Sequence, residues 1–520
     1  MDEYYQFFVA LFTLLVLLYL YYKLFPMIKW LYSNTINKIN INLPIPSPPK
    51  LPILGHLHYL GYLPHRSLWD LSKKHGPLML LQLGSRPMLV VSSAEVAKEV
   101  LKIHDVSFAD RPELDTVKRA FYHPKDVIIS PYGEQWRKSR SIIVHQLLNT
   151  KKVKSFNSII EEETTLLVEK LISCSSPSSP VNLTNMFESL GIDIIYRSTF
   201  GKKMGEIEHG KKVADMINEG VGLIVNFSIG EFIPWLAWIN KLNGFGAAME
   251  RVLKTRNEIL DTFIQEYLDD MEAASNSSRE LLFAKDDKNE EFLIDTLVGI
   301  YRGGTPGVSI DLESVKALIL NVLVAGAETA STTLEWAMTE LIRYPTILKK
   351  LQDEIKQVLK GKRDINENDL EKMHYLKAVI KETLRYHPPI AMNLRECRED
   401  VNVMGYNIVK KTGVIINMWA IGRDSAYWDE PEVFLPERFL NSSIDFKGFD
   451  FHYIPFGAGR RICPGISFAN EVIELVLANL VHKFNWALPD GAKGESLDVI
   501  EQPGITNGRK NPLIVIATKS

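Results

Sequence analysis

The sequence predicts a mainly helical α+β body with small sheets at its edges, preceded by a membrane-spanning helix at the N-terminus. Three observations predict it. Helical periodicity covers most of the chain, with amphipathic stretches at residues 153–172 and 252–271 and a long helical pattern over 311–344 closed by Pro345. Apolar runs of strand length are few, at 79–83, 88–92, 401–408 and 414–417. The longest apolar run, residues 7–22, lies ahead of a proline-rich linker.

That run is broken only by Thr13, and after Lys23 residues 24–32 are again largely apolar. With Lys23 snorkelling to the interface, the segment reaches the roughly 20 residues a spanning helix needs. A cleaved signal peptide would start basic and end on small residues. Here Asp2 and Glu3 precede the run, and Tyr21, Tyr22 and Leu24 close it. Lys23, Lys29 and Lys38 follow, which places the body on the cytosolic side. Residues 1–32 thus read as an anchor. Residues 33–52 read as a linker, whose prolines at 44, 46, 48, 49 and 52 exclude helix and make it a stiff connector. Residues 53–520 form one body. Within it, 173–180 reads as a Ser/Pro loop and 275–289 as a solvated polar loop.

Composition narrows the function by exclusion. The chain has 520 residues, 46% hydrophobic and 24% charged, so it is neither disordered nor fibrous. A net charge of −3 gives no electrostatic case for binding nucleic acid. The three cysteines, Cys174, Cys397 and Cys463, form neither a disulfide framework nor a zinc site and fit a reducing compartment.

The most informative segment is Phe456-Gly-Ala-Gly-Arg-Arg-Ile-Cys-Pro-Gly465, a tight loop leading into an apolar helix over 466–480. Turn amides and a helix N-terminus point N–H groups at a nearby sulfur and lower its pKa, which suits a thiolate metal ligand. Arg460 and Arg461 beside it suit carboxylates of a bound ligand. A phosphate cradle is the alternative, but the Lys and Ser/Thr of a P-loop are missing. This pattern, Phe456-x-x-Gly459-x-Arg461-x-Cys463-x-Gly465, resembles the haem-binding loop of the cytochrome P450 family. Three further motifs follow in family order and extend the resemblance over nearly the whole chain beyond the anchor.

Glu382 and Arg385 share a helix face, and Arg438 lies in Pro436-Glu-Arg-Phe439. Taken alone the pair is a routine surface ion pair. By resemblance the three form a buried cluster that braces the haem pocket. Ala325-Gly326-Ala327-Glu328-Thr329 lies midway along the long helix. Without the family, Thr329 would bond back to its own helix. The resemblance implies that Gly326 opens a groove beside the haem, that Thr329 hydrogen-bonds the dioxygen being activated, and that Glu328 feeds protons. Ala330 stands where similar plant enzymes often carry Thr or Ser, which implies altered proton delivery or a wider pocket. Trp136 and Arg137, with Arg395 and Arg461, are implied partners of the haem propionates. Leu394 replaces the proline usual before Arg395, so the turn there is expected to differ.

The resemblance implies the P450 fold, haem b ligated axially by Cys463, and a monooxygenase that uses dioxygen. No nicotinamide-binding G-x-G-x-x-G follows a strand here. Electrons from NADPH are therefore expected through NADPH–cytochrome P450 reductase, with cytochrome b5 as an optional second donor. Lys138, Arg140 and Arg460 are candidates for a basic docking face. Motif wording and anchor resemble the plant A-type class, the seventy-one family in particular, which implies a single-pass enzyme of the endoplasmic reticulum membrane. Phe121, Leu323, Ala327, Ile390 and Ile505 are expected in the substrate pocket. That lining suits a terpenoid or terpene-derived indole alkaloid, with a furanocoumarin next. The alternatives are a member doing desaturation, ring coupling or dehydration, and a non-enzymatic haem carrier, against which Glu328 and Thr329 argue.

Overall fold

The computed structural model describes residues 45–174, 179–203, 213, 216, 219–220, 222–223, 229–276, 291–304 and 307–520. The expected anchor and parts of both expected loops lie outside them. The linker from Ile45 onward lies against the body and is no free spacer. Ile45 is buried, the Leu80 amide donates to Pro46 O at 2.9 Å, and the His56 ring lies 2.8 Å from Pro48 O.

Helix α1 (Pro64–His75) precedes the hairpin β1 (Leu78–Leu83) and β2 (Arg86–Val91). Then come helices α2 (Glu134–Ile142) and α3 (Asn157–Cys174), the short strand β3 (Val181–Asn182) and helix α4 (Leu183–Phe200). Helix α5 (Phe245–Asn276) is followed by the long α6 (Leu312–Arg343), α7 (Pro345–Leu359) and α8 (His374–Tyr386). The C-terminal part holds β4 (Met392–Glu396), β5 (Val401–Val403), β6 (Tyr406–Ile408), β7 (Gly413–Asn417), α9 (Ile466–Lys483), β8 (Phe484–Ala487) and β9 (Ile514–Lys519).

The strands make three small sheets among the described residues, in the orders β1-β2-β7-β4, β3-β9-β8 and β5-β6. All five residues of β7 are buried, as expected of a strand covered on both faces between β2 and β4. The run 401–408, expected as one strand, is a hairpin. Val403 pairs with Tyr406 across a two-residue loop in which Met404 and Gly405 both have positive φ, the signature of a tight hairpin turn. The amphipathic stretch 153–172 is split at Phe156 into a short helix, Thr150–Ser155, and α3.

Helix α6 is the spine. Asp311 caps it by accepting from the Ser314 amide at 3.0 Å, and Pro345 starts the next helix. It is long and apolar enough to cross a membrane, yet its apolar window is 72% buried inside the body, so it is a core helix. Its main partner is α4, and small residues let the two approach. A Cβ on Gly191 would lie 2.4 Å from Ala327 O, and one on Gly326 would lie 2.8 Å from the Ile195 side chain. Gly326 therefore serves the helix crossing. Helix α6 runs unbroken from Leu312 to Arg343, and Ala325, exposed in a stretch that is otherwise largely buried, faces open space there.

Candidate active site

The cysteine loop is held by its own backbone and by one acid. Gly457 and Gly459 have φ of +72° and +68°, and a Cβ on Gly459 would press to 2.4 Å on Leu101 O. Asp105 accepts from both the amide and the guanidinium of Arg460 at 3.2 Å. The Cys463 amide donates to Phe456 O at 3.0 Å, and the Gly465 amide donates to Cys463 Sγ at 3.3 Å. The Phe456 ring meets Phe446 edge-on at 5.2 Å. Burial pushes the Cys463 thiol up, and the Gly465 N–H and the Arg140 charge reverse this only in part. The depressed pKa expected from the loop amides is therefore not reached. One amide bond is outweighed by desolvation, and a thiolate here needs a cation bound to it.

Four arginines converge around this loop. Arg395, on β4, is buried and donates through Nη2 to Ala458 O at 3.2 Å, while its Nε and Nη1 are buried without a partner. Burial, with the charges of Arg111 and Arg461, pushes it well below the usual arginine range. Arg111 donates to Ile128 O at 3.0 Å, to Asn393 Oδ1 at 2.8 Å and to Leu394 O, and burial lowers it to about 10. Arg461 donates to Ala109 O at 2.9 Å, Val127 O at 3.2 Å and Ser130 O, and burial lowers it to about 9. Arg140 reaches Ile462 O at 2.6 Å. The nearest acids are committed: Asp105 to Arg460, Asp110 to the Tyr132 amide and Arg398, Asp126 to the Ile129 amide and Ser130. Uncompensated positive charge and two orphaned donors around a loop that carries a half-buried thiol call for an anion-bearing ligand that also brings a metal. Haem, with two propionates and an iron, fits these residues.

The individual expectations fare unevenly. Trp136 is buried, with its Nε1 on Val127 O at 3.1 Å and its ring 4.4 Å from the Arg461 guanidinium. Arg137 is exposed on the outer face of α2, above the Tyr132 ring. Arg140, one turn on from Trp136, is the arginine that faces the loop, and the i,i+4 spacing was the signal that could have found it. Arg460, tied to Asp105, and the inward-turned Arg140 leave only Lys138 of the expected docking trio without such a tie. Leu394 continues β4 in regular register opposite Ile415, where a proline would have supplied no amide.

The Glu382 cluster forms as expected. Arg385 makes a two-pronged pair with Glu382, at 2.7 Å through both Nε and Nη2, and Arg438 Nε adds a third contact at 3.1 Å. Both Glu382 and Arg385 are fully buried. The remaining guanidinium N–H groups donate to the carbonyls of Gly422, Asp429, Glu430, Pro431 and Val433. Removing one partner would strand a buried charge.

On α6, Thr329 Oγ1 donates to Ala325 O at 3.0 Å, its own helix, and Glu328 Oε2 accepts from Thr506 Oγ1 at 2.7 Å. Phe121 and Leu323 are buried, Ile390 is partly buried and Ile505 is exposed. Ala327 is buried at the α4 crossing, so it belongs to helix packing more than to a pocket wall. Ala330 is also buried in the core. Asn321, one residue that sequence reasoning missed, accepts from the Val127 amide at 2.7 Å through Oδ1. Arg111 was missed as well, and so was the bond from Thr506 to Glu328, since nothing in a single sequence marks a loop residue as the partner of a helix 178 positions away.

Comparison with known proteins agrees with this geometry. The family model "Cytochrome P450" matches residues 45–514. A norfluorocurarine oxidase from Strychnos sp is 46% identical over 98% of this chain and 99% of its own. A tabersonine/lochnericine 19-hydroxylase from Catharanthus roseus is 45% identical over 92% and 93%. Cytochrome P450 71A8 from Mentha piperita is 47% identical over 94% and 93%. A solved zebra fish cytochrome P450 with abiraterone superposes with a TM-score of 0.72 at 25% identity, over 88% of this chain and 100% of that one. A half-buried thiol in a glycine-turned loop, charge-braced on two sides, is therefore a haem-thiolate centre, and the chain belongs to the cytochrome P450 family as a plant monooxygenase related to family 71.

Proposed function

We propose that the protein oxidises an apolar plant specialised metabolite, a terpene-derived indole alkaloid or a terpenoid, by placing one atom of dioxygen into it while the other leaves as water. The observation that carries this reading is the likeness, over nearly full length, to enzymes named for norfluorocurarine and for tabersonine and lochnericine. The apolar side chains of Phe121, Leu323 and Ile390 support it, and an acidic or phosphorylated substrate would find no partner among them.

When bound, haem supplies the activation of dioxygen. Cys463 would hold its iron, and Arg395, Arg111 and Arg140 would receive its carboxylates. The Thr329 hydroxyl, now turned on Ala325 O, would swing to donate to dioxygen. Glu328 would hold and release protons at its carboxyl oxygens. The apolar residues exclude water, which keeps those protons directed. Electrons would come from NADPH through the reductase, with cytochrome b5 as a second donor.

A membrane location is supported by an apolar face. Trp235, Trp238 and Leu242 are exposed, and Ile53 and Leu54 are exposed across the β1–β2 turn from them. The two groups are joined by the Ser85 amide on Phe232 O at 2.7 Å and the Gly84 amide on Leu54 O at 3.2 Å. With the apolar run at residues 7–22, this is the arrangement expected of a single-pass enzyme on the cytosolic side of the endoplasmic reticulum.

The test is incubation of the membrane-expressed enzyme, reductase and NADPH with a panel of indole alkaloids, terpenoids and, for contrast, acidic and phosphorylated metabolites under oxygen-18 gas. A product heavier by one labelled oxygen is expected. A product formed without label would favour desaturation or ring coupling, and turnover confined to acidic or phosphorylated compounds would overturn the substrate class.

A further inference from the structure

Thr506 lies near the tip of a C-terminal loop that is bolted down on both sides of it. Glu501 and Arg509 pair as an antiparallel bridge, and the Gln502 amide donates to Gly508 O at 2.9 Å. Asn507, the next residue, spends its amide on Pro389 O at 2.6 Å, its carbonyl on Trp336 Nε1 at 2.8 Å and its Nδ2 on Glu501 Oε1 at 3.0 Å. Glu501 is buried and is also held by His65 at 3.1 Å and by Arg66. Burial alone would raise its pKa, and these partners more than reverse that. A loop fixed in this way presents the Thr506 hydroxyl from a constant position, and that hydroxyl donates to Glu328 Oε2 at 2.7 Å.

A glutamate without such a bond would spread over several rotamers. With Oε2 fixed, the other oxygen of Glu328 keeps one direction in which to give or take a proton. A second acid bears on the same carboxyl: burial and the charge of Glu328 push Glu188 of α4 up.

We propose that Thr506 is a positioning residue for proton delivery, its hydroxyl fixing the Glu328 carboxyl in its working orientation. The proposal rests on the reading of Glu328 as the proton donor.

The experiment uses full-length holoenzyme with NADPH, a plant P450 reductase and dioxygen, without organic substrate. Dioxygen then takes two electrons and two protons to give hydrogen peroxide, or four of each to give two waters. NADPH supplies the electrons and solvent the protons, so the peroxide-to-water ratio reports failed proton delivery. Thr506→Val and Glu328→Gln should each raise that ratio about fivefold to tenfold, and Thr506→Ser should restore it. The double variant should add little to Glu328→Gln alone. Wild type, Thr506→Val, Glu328→Gln and the double variant, each checked for an intact carbon monoxide difference spectrum, give a double-mutant cycle in thermal unfolding, where a non-additive midpoint reports the bond itself. An unchanged ratio in Thr506→Val beside a raised one in Glu328→Gln overturns the role of Thr506 and leaves that of Glu328. An unchanged ratio in Glu328→Gln overturns the proton-donor reading. Strictly additive midpoints overturn the bond.

Discussion

Cys463 has no substitute within the described residues. Cys397 is buried, its Sγ lies 2.9 Å from Glu399 O, and burial pushes its thiol up to about 12, while Cys174 ends α3. Cys463→Ala should therefore abolish both the thiolate carbon monoxide band and all turnover. A retained band would remove the assignment. Thr329 needs a different measurement, because it holds no metal. Its hydroxyl is parked on Ala325 O, and Thr329→Ala removes that hydroxyl without removing any residue that would hold the haem. The variant should bind haem and consume NADPH while product falls and hydrogen peroxide rises, with a loss of about 10²–10⁴ in product rate that water reduces in part. Unchanged product per NADPH would take Thr329 out of the mechanism. What the sequence made legible at this scale was chemistry tied to local spacing: the cysteine loop, Glu382 with Arg385, and Thr329 after Glu328. Arg111, Asn321 and the bond from Thr506 to Glu328 stayed hidden because the groups they join are distant in sequence. Arg137 adjoins Trp136 in sequence, but the helical period brings Arg140 to the face that meets the cysteine loop.

Helix α9 carries a group whose ionisation opposes folding. Glu474 is pushed up to about 7 by burial, with Lys377 opposing and Glu471 adding to the shift. A carboxyl raised in the folded state favours folding at low pH, and that contribution is lost as pH rises from the ordinary carboxyl value of about 4.5 through about 7. Glu474→Gln should thus raise the unfolding midpoint at pH 8 by an amount worth roughly 1–3 kcal/mol and leave it unchanged near pH 4.5. Equal shifts at both values would point to packing instead. Elements were readable where punctuation was local, as at Asp311 and Pro345 around α6 or in β7. The break at Phe156 and the hairpin within 401–408 were missed, because apolar content continues through both and only backbone geometry interrupts them. The small-residue crossing of α4 and α6 was also missed, since its glycines face a partner that periodicity does not name.

The molecule as a whole presents one apolar face around the β1–β2 turn, near the point where the chain arrives from its N-terminal run. Burying an apolar side chain is worth roughly 1.5–3 kcal/mol, so Trp235, Trp238 and Leu242 together suffice for partial attachment without an anchor. Deleting residues 1–30 should weaken sedimentation with phosphatidylcholine–phosphatidylserine vesicles without abolishing it. Adding Trp235→Ser, Trp238→Ser and Leu242→Ser to the deletion should release most of the protein to the supernatant, with the carbon monoxide spectrum intact. Full retention after the deletion alone would show that the N-terminal run is no anchor. Unchanged binding after the triple substitution would move the contact elsewhere.

The peptide group of Val127 ties three regions together: its amide is taken by Asn321 of α6, and its carbonyl by both Trp136 of α2 and Arg461 of the cysteine loop. Arg461 and Arg111 grip Ala109, Ile128 and Ser130 by their carbonyls as well. None of these bonds uses a side chain of the segment being held, so that stretch of chain is fastened by parts every amino acid has in common. Within it, the Asp126 carboxyl turns a side chain to the same task, on the Ile129 amide and the Ser130 hydroxyl. A scaffold fastened this way can accept a change of residue in that stretch and leave the cysteine loop, α2 and α6 tied at the same points.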